Sequence, residues 1–229
     1  MSPGSQKIPK RLVIGNSKGG VSKSTTTRNL AVAAAEDGLT VATVDLDTQR
    51  SLSDFFTRRP AEAYPIENYT ATMFDVADIK DIVGYDIVII DTPPLVTEGS
   101  DANEVRNSER LRNLYELLML ADMVLATTLQ QHEDITSTEA WMKLLKALGV
   151  KSASLLSATT RRSVSFENAK RRLNRVGMVC PIDVPRYEDI PASTLQGLGV
   201  CEIKRCKGAD DFRGVWQFVK NQLEISVVE

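Results

Sequence analysis

A glycine-containing turn near the start of the chain carries two lysines and two hydroxyl residues in the order Asn16-Ser17-Lys18-Gly19-Gly20-Val21-Ser22-Lys23-Ser24-Thr25. It follows an apolar segment and precedes a helical pattern. Backbone N–H groups in such a turn converge on anions, and the dipole of the following helix adds positive potential. We therefore predict a phosphate-binding loop, in which Lys23 reaches the β- and γ-phosphates of a nucleotide and the Ser24 hydroxyl binds Mg²⁺.

Carboxylates stand at the ends of two apolar segments further along the chain. Asp45 and Asp47 lie at the end of one segment and just beyond it, and Asp91 ends the second. Two carboxylates spaced in this way can both face the phosphates once the chain leaves the sheet. An acid at the end of an apolar strand costs free energy unless it is paired or lies near a metal. Asp91 is therefore predicted to bind a water molecule of a nucleotide-bound Mg²⁺.

The elements that position these residues follow an alternation of short apolar segments and longer helical patterns. The predicted strands are Leu12–Ile14, Val41–Asp45, Asp86–Asp91, Met123–Thr128, Ala153–Ala158 and Met178–Ile182. The predicted helices are Ser24–Glu36, Glu104–Leu120, Ile135–Leu148, Ser165–Arg175 and Ala209–Leu223. Apolar strands that alternate with helices are typical of a parallel sheet that is covered on both faces. We predict one doubly wound α/β domain with a mostly parallel sheet, helices on both faces and ligands at the carboxyl ends of the strands.

Composition narrows the class of protein. The 229 residues have a formal net charge of −2, so any contact with DNA must come from a local basic patch. The three cysteines, Cys180, Cys201 and Cys206, form no CxxC pair, which argues against a zinc site and favours reduced thiols in the cytoplasm. No apolar run approaches the roughly 20 residues of a membrane span. Residues 1–10 are expected to form a disordered tail before a domain over residues 11–229.

The phosphate-binding loop departs from the pattern GxxxxGK[ST], because Ser17 and Ser22 stand at its two glycine positions. It resembles instead the deviant Walker A motif KGGxxK[ST] of the ParA/MinD family of ATPases, which is marked by an additional lysine, here Lys18. The next residues, TTTRNLAVAAAEDGLTVATVDLDTQ, are similar to the same family, and DTPP at Asp91–Pro94 resembles its ParA-type Walker B motif. The resemblance covers most of the chain and implies a P-loop NTPase fold.

The resemblance implies roles for individual residues. ATP and Mg²⁺ would bind at Lys18, Gly19, Gly20, Val21, Ser22, Lys23, Ser24 and Thr25, with Ser24, Asp45 and Asp91 around the metal. Lys18 and Lys23 would neutralise the phosphates, and Asp47 would orient the attacking water. In this family the signature lysine crosses a dimer interface. The resemblance therefore implies an ATP-bound homodimer that separates after slow hydrolysis stimulated by a ParB-like partner protein.

Two positions depart from the family pattern. Ser22 replaces the glycine that usually precedes the second lysine, and Thr48 replaces the proline of the DxDPQ segment. A Cβ at position 22 could crowd the phosphates if the backbone needs a positive φ angle there. The sequence therefore leaves the nucleotide affinity and the hydrolysis rate open.

Basic residues cluster in the second half of this acidic chain. The predicted DNA contacts are Arg161, Arg162, Lys170, Arg171, Arg172, Arg175, Lys204 and Arg205, with Lys207 beside the last two. Such a patch binds phosphates without reading base sequence, and ParA-type proteins bind non-specific DNA through matching segments. The resemblance thus implies a cytoplasmic, nucleoid-associated protein. The alternative is a basic helix face that contacts only solvent.

Other functions stay open at this level. One is a metabolic enzyme of the wider group, such as a dethiobiotin synthetase-like ligase. Another is a MinD-like membrane-associated switch, although the C-terminal sequence NQLEISVVE lacks the basic amphipathic helix of such proteins. The leading hypothesis is a partition or positioning ATPase that does not bind membranes. The charged stretch between Pro94 and Ala121 is either a partner-docking surface or an exposed helix with ion pairs.

Overall fold

The computed structural model describes residues 7–72, 76–95 and 99–226, apart from the side chain of Arg110. Its strands are β1 Lys10–Ile14, β2 Val41–Asp45, β3 Glu67–Thr70, β4 Ile87–Asp91, β5 Met123–Thr128, β6 Ser152–Thr159, β7 Met178–Val179 and β8 Val184–Pro185. Its helices are α1 Lys23–Glu36, α2 Ser51–Thr57, α3 Val76–Lys80, α4 Ala102–Asn107, α5 Arg112–Leu120, α6 His132–Leu148, α7 Val164–Asn174, α8 Asp189–Leu195 and α9 Ala209–Leu223. Short 3₁₀ turns occupy Glu109–Leu111 and Val200–Glu202.

The strands form one parallel sheet in the order β3-β2-β4-β1-β5-β6-β7, and β8 pairs with the far end of β6. The three central strands are buried on both faces, which explains why they have continuous apolar sequences instead of alternating ones. The predicted parallel α/β fold with helices on both faces is confirmed.

Each face of the sheet is covered by its own layer of helices. Alternate residues of the central strands, such as Leu12 and Ile89, pack with α1 and α9. The residues between them, such as Val13 and Val88, pack with α3, α5 and α6. A smaller cluster joins α7 to α6 and β6. Each layer follows from the period of two along a strand.

Several boundaries differ from the sequence-based prediction. The single helix predicted over Glu104–Leu120 is wrong, because it is split into α4 and α5 by a 3₁₀ turn at Glu109–Leu111. The strand predicted over Met178–Ile182 ends at Val179. Strand β3 was not predicted because its sequence, ENYT, is polar and largely exposed at the edge of the sheet.

The charged stretch before β5 belongs mostly to the helical layer over the sheet. Leu114, Leu117 and Leu118 of α5 are buried, and Arg112 pairs with Glu116 on the exposed side of that helix. An amphipathic helix packed on the sheet therefore accounts for this part of the stretch. Residues 96–98 of it lie outside the described residues.

Of the disordered tail predicted over residues 1–10, residues 1–6 lie outside the described part of the chain. Lys7 forms an ion pair with Asp86, and β1 already begins at Lys10. In the part of the chain that the structure describes, no helix is both long enough and apolar enough to cross a lipid bilayer.

Strand register brings the predicted carboxylates together. In the parallel ladders, Asp91 at the end of β4 lies beside Ile14 of β1 on one side and beside Asp45 of β2 on the other. The phosphate-binding loop starts directly after Ile14. The fold therefore places the loop between β1 and α1 next to two strand-end aspartates, at the sheet edge where α/β proteins bind ligands.

Candidate functional site

A cavity of about 700 Å³ opens at the carboxyl ends of β1, β2 and β4. Its walls come from the loop before α1, from α1 itself, from the segment after β2 and from the prolines after β4. The lining residues are Gly19, Gly20, Ser22, Lys23, Ser24, Thr25, Arg28, Asp47, Thr48, Gln49, Ser51, Pro93 and Pro94. Most of the predicted nucleotide contacts thus share one cavity, and Arg28 joins them without having been predicted.

Ser22 occupies a backbone conformation that normally favours glycine. It precedes α1 with φ 68° and ψ 25°, and its side chain caps no backbone group of that helix. Gly20, two residues earlier, also has a positive φ angle of 72°. The loop thus requires left-handed conformations at both positions, and at Ser22 a Cβ makes that conformation strained.

Lys23 is the cation at the centre of the cavity. It is 6% exposed, and its ammonium donates a hydrogen bond to the backbone carbonyl of Lys18 at 3.2 Å. Burial lowers the pKa of Lys23, while the charges of Asp91 and Asp47 act in the opposite direction. A buried ammonium near two carboxylates and directed along a glycine loop is suited to binding phosphate oxygens.

Asp91 is fully buried behind this cavity. Burial raises its pKa from 3.8 to about 7, helped by the neighbouring charge of Asp45, while the Ser24 and Thr27 hydroxyls and the Lys23 charge act against the shift. The Thr27 hydroxyl donates a hydrogen bond to Asp91 Oδ1 at 3.3 Å. The other carboxylate oxygen, Oδ2, is buried with no hydrogen-bond partner among the described residues.

The residues around Asp91 fit a magnesium ion. A buried oxygen without a donor and the nearby Ser24 hydroxyl are hard oxygen ligands of the kind that Mg²⁺ prefers. Within the described ranges, no three His, Cys, Asp or Glu side chains gather closely enough to bind a metal by themselves. This agrees with the usual binding of Mg²⁺ through one or two protein ligands, water molecules and phosphate oxygens.

Asp45 has a different environment, although it is as deeply buried as Asp91. Its Oδ2 accepts hydrogen bonds from both the backbone N–H and the hydroxyl of Ser53, at 2.8 and 2.7 Å. Its Oδ1 accepts the backbone N–H of Asp47 at 3.1 Å. Asp45 therefore fastens α2 and the turn after β2 to the sheet, and a contact with the magnesium shell would have to share its oxygens with these donors.

Asp47 lines the cavity directly. Its carboxylate accepts the backbone N–H of Gln49 at 2.9 Å, which stabilises the turn that carries Thr48 into the cavity wall. Asp47 is partly exposed, in contrast to the two strand-end aspartates. Its position near Lys23 and open to solvent is compatible with the predicted role of orienting a water molecule.

Lys18 does not line the cavity. Its ammonium lies 2.5 Å from Asp134 and 3.9 Å from Glu133, both in the first turn of α6. The hydrogen bond with Asp134 raises the pKa of Lys18, so the side chain is a fixed cation at the rim. In this conformation the Lys18 side chain is paired within its own chain, while its backbone carbonyl accepts the hydrogen bond from Lys23.

A second cavity of about 170 Å³ adjoins the first through Ser22 and Thr25, which line both. Its remaining walls include Tyr187 and Ile190 from the segment between β8 and α9, and Phe212 of α9. An apolar and aromatic pocket beside a phosphate-binding loop has the character expected for a planar base. This pocket was not predicted from the sequence, because most of its residues lie far along the chain from the loop.

Two of the predicted DNA contacts are engaged within the chain. Arg172 donates to both carboxylate oxygens of Glu139, at 2.9 and 2.6 Å. Arg161 bridges Asp183 at 3.0 Å and Asp211 at 2.8 Å. These arginines connect neighbouring elements, and a DNA phosphate would have to compete with carboxylates for them.

The other predicted DNA contacts divide between two sides of the molecule. Helix α7 carries Lys170 and Arg171, is followed directly by Arg175, and packs on the face of the sheet that α6 covers. The segment with Lys204, Arg205 and Lys207 follows Cys201, which packs with α1 and α9 on the opposite face. The two groups of basic residues therefore belong to elements that pack on opposite faces of the sheet. A cavity of about 430 Å³ between α6 and α7 is lined by Arg171, Arg172 and Arg175, together with His132.

Comparison with known proteins identifies the class. Residues 12–180 match the family described as the CobQ/CobB/MinD/ParA nucleotide binding domain, which is most of the chain. The chain therefore belongs to this family of nucleotide-binding proteins.

Individual relatives match a smaller part of the sequence. The chain is 33% identical over 116 residues to maintenance of carboxysome distribution protein A from Gloeobacter kilaueensis, which covers 47% of this chain and 49% of that protein. It is 32% identical over 111 residues to the chromosome partitioning protein ParA of Caulobacter vibrioides, which covers 47% and 42% of the two chains. The matches thus span about half the length of these relatives.

Solved structures of low sequence identity share the fold. The septum site-determining protein MinD from Pyrococcus horikoshii, complexed with Mg-ADP, has a TM-score of 0.70 and 21% identity, with 92% of this chain and 96% of that chain covered. A Cyanothece McdA variant in complex with ATP has a TM-score of 0.71 and 15% identity, with 97% and 99% covered. These similarities support the architecture and not a particular cargo.

Replacement of Ser22 by glycine tests the strain in the loop. Ser22→Gly is expected to raise the free energy of unfolding by about 1 kcal/mol, because glycine adopts the left-handed conformation without the Cβ contact. Urea denaturation in the absence of nucleotide measures the change. Ser22→Ala keeps the Cβ and is the matched control. An equal gain from alanine would show that strain at this position is not the cause.

The raised pKa of Asp91 predicts a defined pH dependence. The folded protein retains the Asp91 proton up to about pH 7, whereas the unfolded chain releases it near 3.8, so the stability contribution of this group falls between these values. Asp91→Asn is expected to raise the free energy of unfolding by a few kcal/mol at pH 8 and to have little effect near pH 4. Urea denaturation across this range, without nucleotide, gives the comparison. The exposed-acid variant Glu62→Gln is the control, and a pH-independent effect of Asp91→Asn would contradict the assignment.

Proposed function

We propose that this chain is an ATP-hydrolysing switch of the ParA type. It binds Mg·ATP at the cavity above the sheet, dimerises in that state, binds DNA without sequence preference and is released after hydrolysis stimulated by a partner protein. The observation that carries the proposal is the meeting of Lys23, Ser24 and Asp47 in one cavity, with the unpaired Asp91 oxygen buried behind it. Membership of a family of nucleotide-binding domains supports the binding of a nucleotide. The cargo that the switch would position is either DNA or a protein body.

The residues of the cavity divide the work of phosphoryl transfer. Lys23 and the backbone of the loop bind and neutralise the phosphates, and Ser24 with Asp91 would hold the magnesium ion. The magnesium ion, when bound, supplies positive charge to the phosphate oxygens. Asp47 is the exposed carboxylate of the site and orients the attacking water. Asp45 keeps α2 and the turn with Asp47 in position through its bonds to Ser53 and to the Asp47 backbone.

Lys18 supplies the proposed link between nucleotide and dimer. In the single chain it is paired with Asp134 at the rim and is 39% exposed. A second subunit that presents phosphates at this rim offers Lys18 a more highly charged partner than one carboxylate. ATP, with one more phosphate than ADP, favours this exchange more strongly. Hydrolysis would then weaken the dimer.

The proposed DNA-binding surface is the exposed side of α7. Arg171 and Arg175 have no ion pair among the described residues and line the cavity beside α6. Lys170 also belongs to α7, and its ammonium lies 5.2 Å from the centroid of the Phe166 ring on the same helix. A side chain that forms no ion pair within the protein can neutralise a DNA phosphate and so release the counterions that are condensed on the DNA. The competing assignment is the segment at Lys204 and Arg205 on the other face.

The two lysines of the loop are expected to have separable roles. Lys23→Ala should abolish ATP binding, because it removes the buried cation of the cavity. Lys18→Ala should bind ATP but remain monomeric, since it loses the charge at the subunit contact. Isothermal titration calorimetry measures binding, and light scattering with a slowly hydrolysed ATP analogue measures mass. Lys146→Ala on the exposed side of α6 is the control. An ATP-dependent Lys18→Ala dimer equal to wild type would contradict the role of this lysine.

A pair of double variants tests the DNA surface. Arg171→Ala/Arg175→Ala should weaken binding of duplex DNA in the ATP-bound state and reduce the slope of log affinity against log salt by about two, one for each lost phosphate contact. Lys204→Ala/Arg205→Ala removes the same charge from the opposite face. Fluorescence anisotropy at several salt concentrations measures both. An unchanged slope in the α7 variant with a reduced slope in the other would move the DNA site to the second segment. Absence of nucleotide-dependent DNA retention would favour a metabolic enzyme of the wider group.

A further inference from the structure

Arg28 is a buried cation in the wall of the nucleotide cavity. It lies on α1, five residues after Lys23, and is 7% exposed. The side chain reaches the same cavity as Lys23, Ser24 and Thr25. The sequence around it, TTTRNLA, gives no sign that this position faces a ligand. Residues three and four apart lie on one face of a helix, so Arg28 lies on the same face of α1 as Thr25 and Ser24 and lines the same cavity.

The guanidinium of Arg28 has few partners for a buried charge. Its Nη2 donates to the Thr25 hydroxyl at 3.0 Å, and its Nε is buried with no hydrogen-bond partner among the described residues. The Phe55 ring lies 5.8 Å from the guanidinium carbon. No carboxylate of the described residues forms an ion pair with it. Burial lowers the pKa of Arg28 to about 10, and the neighbouring charge of Arg58 contributes, although Asp91 acts in the opposite direction.

Other arginines of the chain show how unusual this environment is. Arg59, which also lies on the Phe55 ring, forms a two-pronged ion pair with Glu202 at 2.9 and 2.5 Å. Arg11 has a buried Nε like that of Arg28, but it lies at the start of β1 and donates to the carbonyl of Lys80 at the end of α3. A buried, unpaired charge costs several kcal/mol unless a ligand compensates it. Arg28 alone among these three faces the nucleotide cavity.

We propose that Arg28 is a further phosphate-binding residue of the nucleotide site, acting from the α1–α2 side beside the phosphate-binding loop. This inference rests on the proposed nucleotide function. Thr25, whose hydroxyl accepts the hydrogen bond from Arg28, lines both the phosphate cavity and the smaller aromatic cavity. Arg28 itself lines the phosphate cavity together with Thr48 and Gln49, and its guanidinium lies over the Phe55 ring of α2. A guanidinium presents several N–H donors to phosphate oxygens in a fixed geometry.

This position predicts a particular pattern of binding. Arg28 lies beside Thr25 in the first turn of α1, where backbone N–H groups would bind the phosphates that ADP and ATP share, so both nucleotides should lose affinity by a similar factor when Arg28 is replaced. Loss of one charge-assisted contact corresponds to about tenfold in Kd. The hydrolysis rate at saturating ATP should change little, because the same contact would form in the ATP-bound and ADP-bound states. A residue that acted at the terminal phosphate would instead affect ATP alone.

The experiment compares Arg28→Met, Arg28→Lys and wild type. Titration calorimetry with Mg·ADP and with Mg·ATP gives the two dissociation constants, and thermal unfolding with and without nucleotide gives stability. Methionine matches the length of the stem without its charge. The Arg28→Met variant should therefore unfold at an equal or higher temperature than wild type without nucleotide, yet gain less stability from either nucleotide. Arg28→Lys should recover part of the affinity. Arg58→Gln, next to Arg28 but outside the cavity wall, is the control.

Four results would overturn the inference, and they can be told apart. Unchanged affinity of Arg28→Met for both nucleotides would show that Arg28 has no role in binding, while leaving the proposed nucleotide function intact. Loss of ATP affinity alone would place Arg28 at the terminal phosphate. A wild-type chain that binds neither nucleotide would reject the proposed function and this inference together. A loss of stability in Arg28→Met without nucleotide, combined with normal affinity, would make the residue purely structural.

Discussion

The burial of charge at the carboxyl end of β4 is the constraint on which the rest of the site depends. Asp91 is fully buried, burial raises its pKa to about 7, and one of its oxygens has no donor among the described residues. Lys23 is buried opposite it, and its pKa is lowered for the same physical reason. Each group is less stable in its charged form than it would be in water. A ligand that brings phosphates to the lysine and a cation to the aspartate relieves both penalties at once. The site is thus built for a charged ligand and is destabilising without it, as expected for a pre-organised site.

Buried hydrogen bonds between the neighbouring elements, in addition to the phosphate-binding loop, fix the surroundings of Lys23 and Asp91. Asp45 ties the start of α2 to the sheet through Ser53, so the segment after β2 cannot shift without breaking a buried contact. The end of α2 is tied in turn to the 3₁₀ turn Val200–Glu202 by the ion pair between Arg59 and Glu202. Asn29 of α1 accepts the backbone N–H of Val200 at 2.9 Å. These bonds connect α1 and the segment after α2 to the same 3₁₀ turn.

The binding of DNA depends on the surface charges and not on the buried ones. An overall net charge of −2 leaves no general attraction to DNA, and two of the arginines on the basic segments are satisfied by carboxylates of the same chain. What matters for DNA is the smaller number of cations that the fold leaves unpaired and the side on which they lie. Pairing within the chain also explains the state of Lys18, which Asp134 holds at the rim of the cavity. A partner that competes for it must offer more negative charge than one carboxylate.

The sequence by itself determined what depends on neighbouring residues. The apolar strands β1, β2, β4, β5 and β6, the loop before α1 and the acids at strand ends are local patterns, and they predicted the parallel fold and most of the cavity. The polar edge strand β3 and the break between α4 and α5 carry no such pattern, because their geometry comes from packing against the sheet. Only the tertiary structure decided that the backbone of Ser22 is left-handed, that Asp45 accepts hydrogen bonds from Ser53 and that Arg28 lines the cavity without forming an ion pair. It also decided that α7 and the segment before Lys204 and Arg205 pack on opposite faces of the sheet. Pairing and burial of charges depend on residues that are distant in the chain, and one-dimensional spacing does not contain those distances.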